Sequence, residues 1–143
     1  MTSGKSSFGT LLKLGDAASS ETFTTIAEVR DIKGPTLELA TEEMTNHSST
    51  NGWEESIGTI LSGGEVTFDC NWIPGNATQS YAAGLLKDMV NRTLRNFQLV
   101  IPAASNVTWS FSAYVTKFPP DLPVKGAQRV SVTLKLSGYP TLA

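Results

Sequence analysis

The residues that could do chemistry are few and far apart. His47 is the single histidine and Cys70 the single cysteine of the 143-residue chain. A Cys-His nucleophile pair needs the two side chains within hydrogen-bond reach. Cys70 stands in the alternation Val66, Phe68, Cys70, Trp72, which directs it inward, whereas His47 lies in the polar stretch Thr45-Asn46-His47-Ser48-Ser49, which directs it outward. One cysteine and one histidine are too few soft ligands for a zinc site. Glu42-Glu43 and Glu54-Glu55 are carboxylate pairs of the kind that could flank a glycosidic bond. Adjacent residues on an extended chain point to opposite sides, so they read instead as solvated or subunit-facing acids. No phosphate-cradling glycine loop, nucleophile elbow or Asp-rich calcium loop is present. The chain is therefore read as a building block or binding module, not an enzyme, with no cofactor and no metal.

The elements that must position these residues are mostly strands. Three segments alternate with a period of two: Val66, Phe68, Cys70 and Trp72 against Glu65, Thr67, Asp69 and Asn71; Val107, Trp109, Phe111, Ala113 and Val115 against their polar neighbours; and Val130, Val132, Leu134 and Leu136 against theirs. Weaker strands are predicted over 10–14, 22–31, 36–40 and 96–101, where β-branched or aromatic residues are bounded by Gly, Pro or Asn. One-faced antiparallel strands must cover their apolar sides, so a sandwich or partly closed barrel of about seven strands follows.

Over 79–92, Tyr81, Leu85, Leu86 and Met89 recur at helical spacing. Asn76 or Thr78 could cap that helix, and Asp88 with Arg92 would add an i,i+4 pair on its exposed face. The stripe reads as core packing; its polar face is too poor in Lys and Arg for a membrane surface. Phe118-Pro119-Pro120-Asp121-Leu122-Pro123 cannot continue a central strand and marks a stiff connection.

At this length one domain spanning 1–143 with a real core is expected. Charged residues make up 17% and the formal net charge is -2. The Lys and Arg residues are scattered, which argues against tight nucleic-acid binding. Residues 1–7 lack the apolar stretch of a secretory signal, and no apolar run is long enough to span a bilayer, so a cytoplasmic site of synthesis with no membrane partner is expected.

Between strand-like flanks lies a long polar excursion, of the kind a compact domain keeps for binding, for a lid or as an arm. The run Gly34-Pro35-Thr36-Leu37-Glu38-Leu39-Ala40, the Thr45-Asn46-His47 loop and the stretch Ile57-Gly58-Thr59-Ile60-Leu61-Ser62-Gly63-Gly64-Glu65-Val66 carry a resemblance. The chain resembles the major tail tube protein of long, non-contractile-tailed bacteriophages over most of its length.

That resemblance implies a mainly β fold: an antiparallel β-sandwich or partly closed barrel with one flanking helix at 79–92, a flexible amino-terminal arm at 1–7 and a long inter-subunit loop at 46–62. It implies a structural, virion-located subunit, assembled in the host cytoplasm. Six copies would form a ring, and rings would stack into a hollow tube for passage of double-stranded DNA without specific binding. The implied partners are further copies of the chain and the tail tip, terminator and tape-measure proteins. Matching positions nominate Asn46, His47, Trp53, Ile57, Ile60 and Leu61 as subunit-interface residues. A wall that phosphates do not grip suits DNA passage, which nominates Glu38, Glu65 and Asp69 as lumen-facing. The alternatives are a tube protein of a contractile or secretion system and a soluble carbohydrate-binding β-sandwich, for which Tyr114 and Tyr139 are the exposed-aromatic candidates.

Overall fold

A computed structural model describes residues 3–16 and 18–142. Residues 1 and 2 of the expected amino-terminal arm lie outside the described residues, and 3–7 carry no regular element. The described residues form eleven strands and one α-helix: β1 (Leu11–Gly15), β2 (Phe23–Thr25), β3 (Val29–Lys33), β4 (Glu38–Glu43), β5 (Ser56–Ser62), β6 (Glu65–Asn71), α1 (Leu85–Val90), β7 (Arg95–Ile101), β8 (Val107–Lys117), β9 (Pro120–Asp121), β10 (Arg129–Leu136) and β11 (Thr141–Leu142). The mainly β, antiparallel expectation holds. The three segments with clean alternation are β6, β8 and β10.

Nine strands form one antiparallel sheet in the order β2-β1-β7-β8-β10-β6-β3, with β11 on β8 and β9 on β10. β8 links its two halves. Val107 to Ala113 pair with Ile101 to Arg95 of β7, and Ala113 to Lys117 pair with Leu136 to Thr133 of β10 across an irregular step. A single strand thus serves both walls. β2 and β3 stand at the two ends of the order and do not pair with each other, so no barrel closes among the described residues.

The buried faces of both walls meet in one core. Leu12 and Leu14 of β1, Phe97 and Leu99 of β7 and Phe111 of β8 join Val66, Phe68 and Cys70 of β6 and Val130, Val132 and Leu134 of β10. Phe97 stacks on Phe111 with ring centroids 5.8 Å apart. Phe68, Phe97, Leu12 and Ile26 are at most 1% exposed, and burial of each contributes roughly 1.5–3 kcal/mol.

Four expectations are corrected. The run 22–31 is two strands, because Glu28 takes a left-handed φ of 49° and turns the chain between β2 and β3. The excursion at 46–62 is not an extended loop throughout: Ser56–Ser62 is strand β5, paired with β4 in a hairpin of its own. The helix covers Leu85–Val90 instead of 79–92. Residues 77–83 are turns, and Gly84 is the N-cap, with no side-chain capping bond. A Cβ on Gly84 would strike the Thr78 to Ser80 backbone, so the glycine permits close packing against that turn. Asp88 does not face solvent beside Arg92; it is buried, and its carboxylate lies 3.5 Å from Arg95.

Candidate assembly surface

The hairpin β4–β5 is the least supported part of the molecule. Every residue of both strands is exposed, and the pair forms a sheet separate from the body. It is rooted between β3 and β6, where the Thr36 amide donates to the Glu65 carbonyl at 3.2 Å. Gly64 at that root has φ 66°, and a Cβ there would run into the Thr36 carbonyl, so glycine is required for the approach. Leu39 pairs with Leu61, Thr41 with Gly58 and Glu42 with Ile57, with a register shift between Leu39 and Thr41.

The tip is held by its own polar groups. Glu55 donates its amide to Thr45 Oγ1 at 2.9 Å and accepts from Ser49 Oγ at 2.6 Å. Asn46 Oδ1 accepts from the Ser48 amide at 2.8 Å, and Asn46 donates its own amide to Ser49 Oγ at 2.9 Å. Asn46 therefore shapes the turn that carries the exposed His47. Among the nominated apolar residues, Trp53 is 75%, Ile57 50%, Ile60 75% and Leu61 77% exposed. They do not fold back onto the sandwich. A two-stranded hairpin is marginal in water by itself, and among the described residues this one leaves these four large apolar side chains at least half exposed.

Charge on the arm is one-sided. Glu38, Glu42, Glu43, Glu54 and Glu55 all lie on it, and no Lys or Arg occurs between Lys33 and Lys87. At its root Leu37, Leu39, Leu61, Tyr139, Pro140 and Leu142 line an apolar groove of about 560 Å³.

The three nominated acids do not share one sheet. Glu38 is on the arm, opposite Ser62. Glu65 and Asp69 lie on the outer face of β6, where Glu65 is in register with Lys135 and Asp69 accepts from Ser131 Oγ. That face is therefore a mixture of charges and hydroxyls. His47, at the arm's tip, and Cys70, fully buried in β6, do not come together. Burial, with Asp69 and Glu28 nearby, pushes the Cys70 thiol up to about 11, so it stays protonated and unreactive at neutral pH.

Sequence reasoning missed Gln79. It is fully buried, its Oε1 accepts from the Ile73 amide at 2.7 Å, and its Nε2 donates to the carbonyls of Ala27 at 2.7 Å and Asn71 at 3.2 Å. A glutamine between Thr78 and Ser80 in a polar run carries no pattern that separates it from a surface residue.

A small sandwich with two open edges and a projecting apolar, acidic arm among the described residues has the build of a structural subunit, since unpaired edges and bare apolar surface are hazards for a lone chain. The family described as lambda phage tail tube protein matches residues 9–143, and the chain belongs to that family. It is a tail tube protein, a structural component of the virion. Solved structures with the same fold include the tail of an empty gene transfer agent particle refined with C6 symmetry (20% identity, 93% of this chain and 94% of that one, TM-score 0.74). The PVC extracellular contractile injection system sheath/tube terminator (13%, 100% and 99%, TM-score 0.72) and the SPP1 tail tube (15%, 93% and 75%, TM-score 0.67) are also similar. No curated protein matches the chain. Among the described residues no helix is long and apolar enough to cross a membrane.

Proposed function

We propose that this tail tube protein assembles as hexameric rings that stack into a hollow tube for passage of double-stranded DNA, and that it does so without catalysis. The observation that carries the reading is the arm: an autonomous hairpin whose Trp53, Ile57, Ile60 and Leu61 are all at least half exposed. Burying such residues in a neighbour's pocket is where interface energy concentrates, with a tryptophan commonly worth 2 kcal/mol or more. The open edges β2 and β3 supply unpaired backbone groups that ring closure would satisfy.

In this reading Asn46 and His47 lie at the contact made by the arm's tip, and Glu65 and Asp69 face the lumen, with Glu38 at the arm's root. Lys135 beside Glu65 tempers the acidic character of that wall. The tail tip, terminator and tape-measure proteins are the expected partners at the ends and inside of the tube. The C6 symmetry of the similar gene transfer agent tail supports six copies per ring.

Negative-stain microscopy of the concentrated chain tests this. Six-fold rings or tubes are expected. A persistent monomer that binds an oligosaccharide would instead favour a carbohydrate-binding sandwich.

A further inference from the structure

We infer that the acidic tip of the hairpin arm docks on the proline-rich turn at 118–128 of a second copy stacked head to tail. This rests on the tube reading above and names the residues that make its axial contact. The argument begins with charge. The arm carries five glutamates and no cation, while the remainder of the chain holds all 11 Lys and Arg residues against 8 acids. An acidic projection on an otherwise basic body is complementary to its own body, provided that the two surfaces face different ways.

They do. The arm is rooted at the Gly63-Gly64 end of β6, where the Leu136 amide donates to the Gly64 carbonyl at 3.1 Å. β6 then runs to Asn71, which is in register with Arg129, and β9 pairs Asp121 with that same Arg129. The turn at 118–128 therefore sits at the opposite end of the β6–β10 wall. Root and turn are separated by the length of the strand pair. A contact between an arm at one end and a turn at the other is heterologous, and repeated by translation along an axis it builds a stack without closing.

The chemistry of the turn fits the tip. Lys125 and Arg129 are exposed there, offset by Asp121 and by Glu28, which accepts from Asn71 Nδ2 at the same end. Leu122 is 58% exposed and Val124 fully so, both displayed on a segment stiffened by Pro119, Pro120 and Pro123. Trp53 meets Leu122 and Val124, while Glu42 and Glu54 meet Lys125 and Arg129 around it. An apolar centre inside a charged rim is the usual anatomy of a specific interface, in which the charges steer and set polarity and the aromatic anchor holds.

Charge exchange in the full chain tests the pairing. The readout is the protein concentration at which sedimentable tubes form, checked by negative stain. Lys125→Glu with Arg129→Glu should raise that concentration at least about tenfold, and adding Glu42→Lys with Glu54→Lys should return it to within about threefold of the unaltered chain. The unaltered chain should also need more protein as NaCl rises from about 50 to about 500 mM, because screening weakens exposed pairs. That arm of the test does not depend on any variant folding. If the unaltered chain forms tubes but the Lys125 and Arg129 reversals or salt leave the threshold unmoved, or the fourfold exchange stays as impaired as the twofold one, the docking is wrong and the tube reading survives. If the unaltered chain forms no rings or tubes, both fall.

Discussion

Gln79 and Ile73 are joined by a hydrogen bond of 2.7 Å from the Ile73 amide to the Gln79 side-chain oxygen, inside a core where Gln79 is fully buried. The amide end of the same side chain reaches Ala27 and Asn71, so one residue ties the turn after β6 to the turn between β2 and β3. Gln79→Leu keeps the bulk but leaves one amide and two carbonyls without their partner. Chemical denaturation should show a loss of roughly 2–4 kcal/mol. A loss under about 0.5 kcal/mol would mean that water replaces the side chain there.

Trp53→Ala should separate folding from assembly. Because Trp53 is 75% exposed on the arm, the monomer's unfolding free energy should move by no more than about 0.5 kcal/mol. Tube formation should be strongly impaired. A cooperative loss of monomer stability would show that the arm packs on its own body.

Asp88 gives a pH signature. Burial raises its carboxyl above the ordinary 3.8, with Arg95 and Lys87 pulling the other way. The folded state therefore holds the proton more tightly than the unfolded chain. Above the raised value the ionised form is a folded-state penalty, and that penalty is relieved as pH falls from the raised value toward 3.8. Relative to Asp88→Asn, the unaltered chain should gain stability between neutral pH and about pH 4 in urea titrations. Parallel pH profiles for the two proteins would sink this.

Cys70 should be silent to thiol reagents in the native chain and react once the chain is unfolded, since it is fully buried with a thiol held at about 11. Rapid labelling of the native monomer by a maleimide would contradict the packing of β6.

The sequence was legible where one physical demand ruled each residue. In β6 and β10 inward and outward positions alternate along the strand, and in β8 they do so from Phe111 to Val115, so Phe68, Phe111 and Val132 could be placed inside from spacing alone. β5 was not legible as a strand because Ile57, Ile60 and Leu61 do not alternate cleanly: Gly58 and the register shift interrupt the period, and every residue of the strand is exposed. The helix was overextended because Tyr81 fits the helical stripe by spacing, yet the backbone at 77–83 is committed to turns anchored by Asn76, Thr78 and Gln79. The nominated interface residues were reached through family resemblance, and their exposure in the single chain is what a local pattern cannot express.

β8 is one continuous run of eleven residues whose first half is stitched to β7 and whose second half is stitched to β10. Sliding it by a single residue would turn its own inward side chains outward along both walls at the same moment. The two walls consequently share one setting: β8 has no way to shift against β7 that leaves its match with β10 intact.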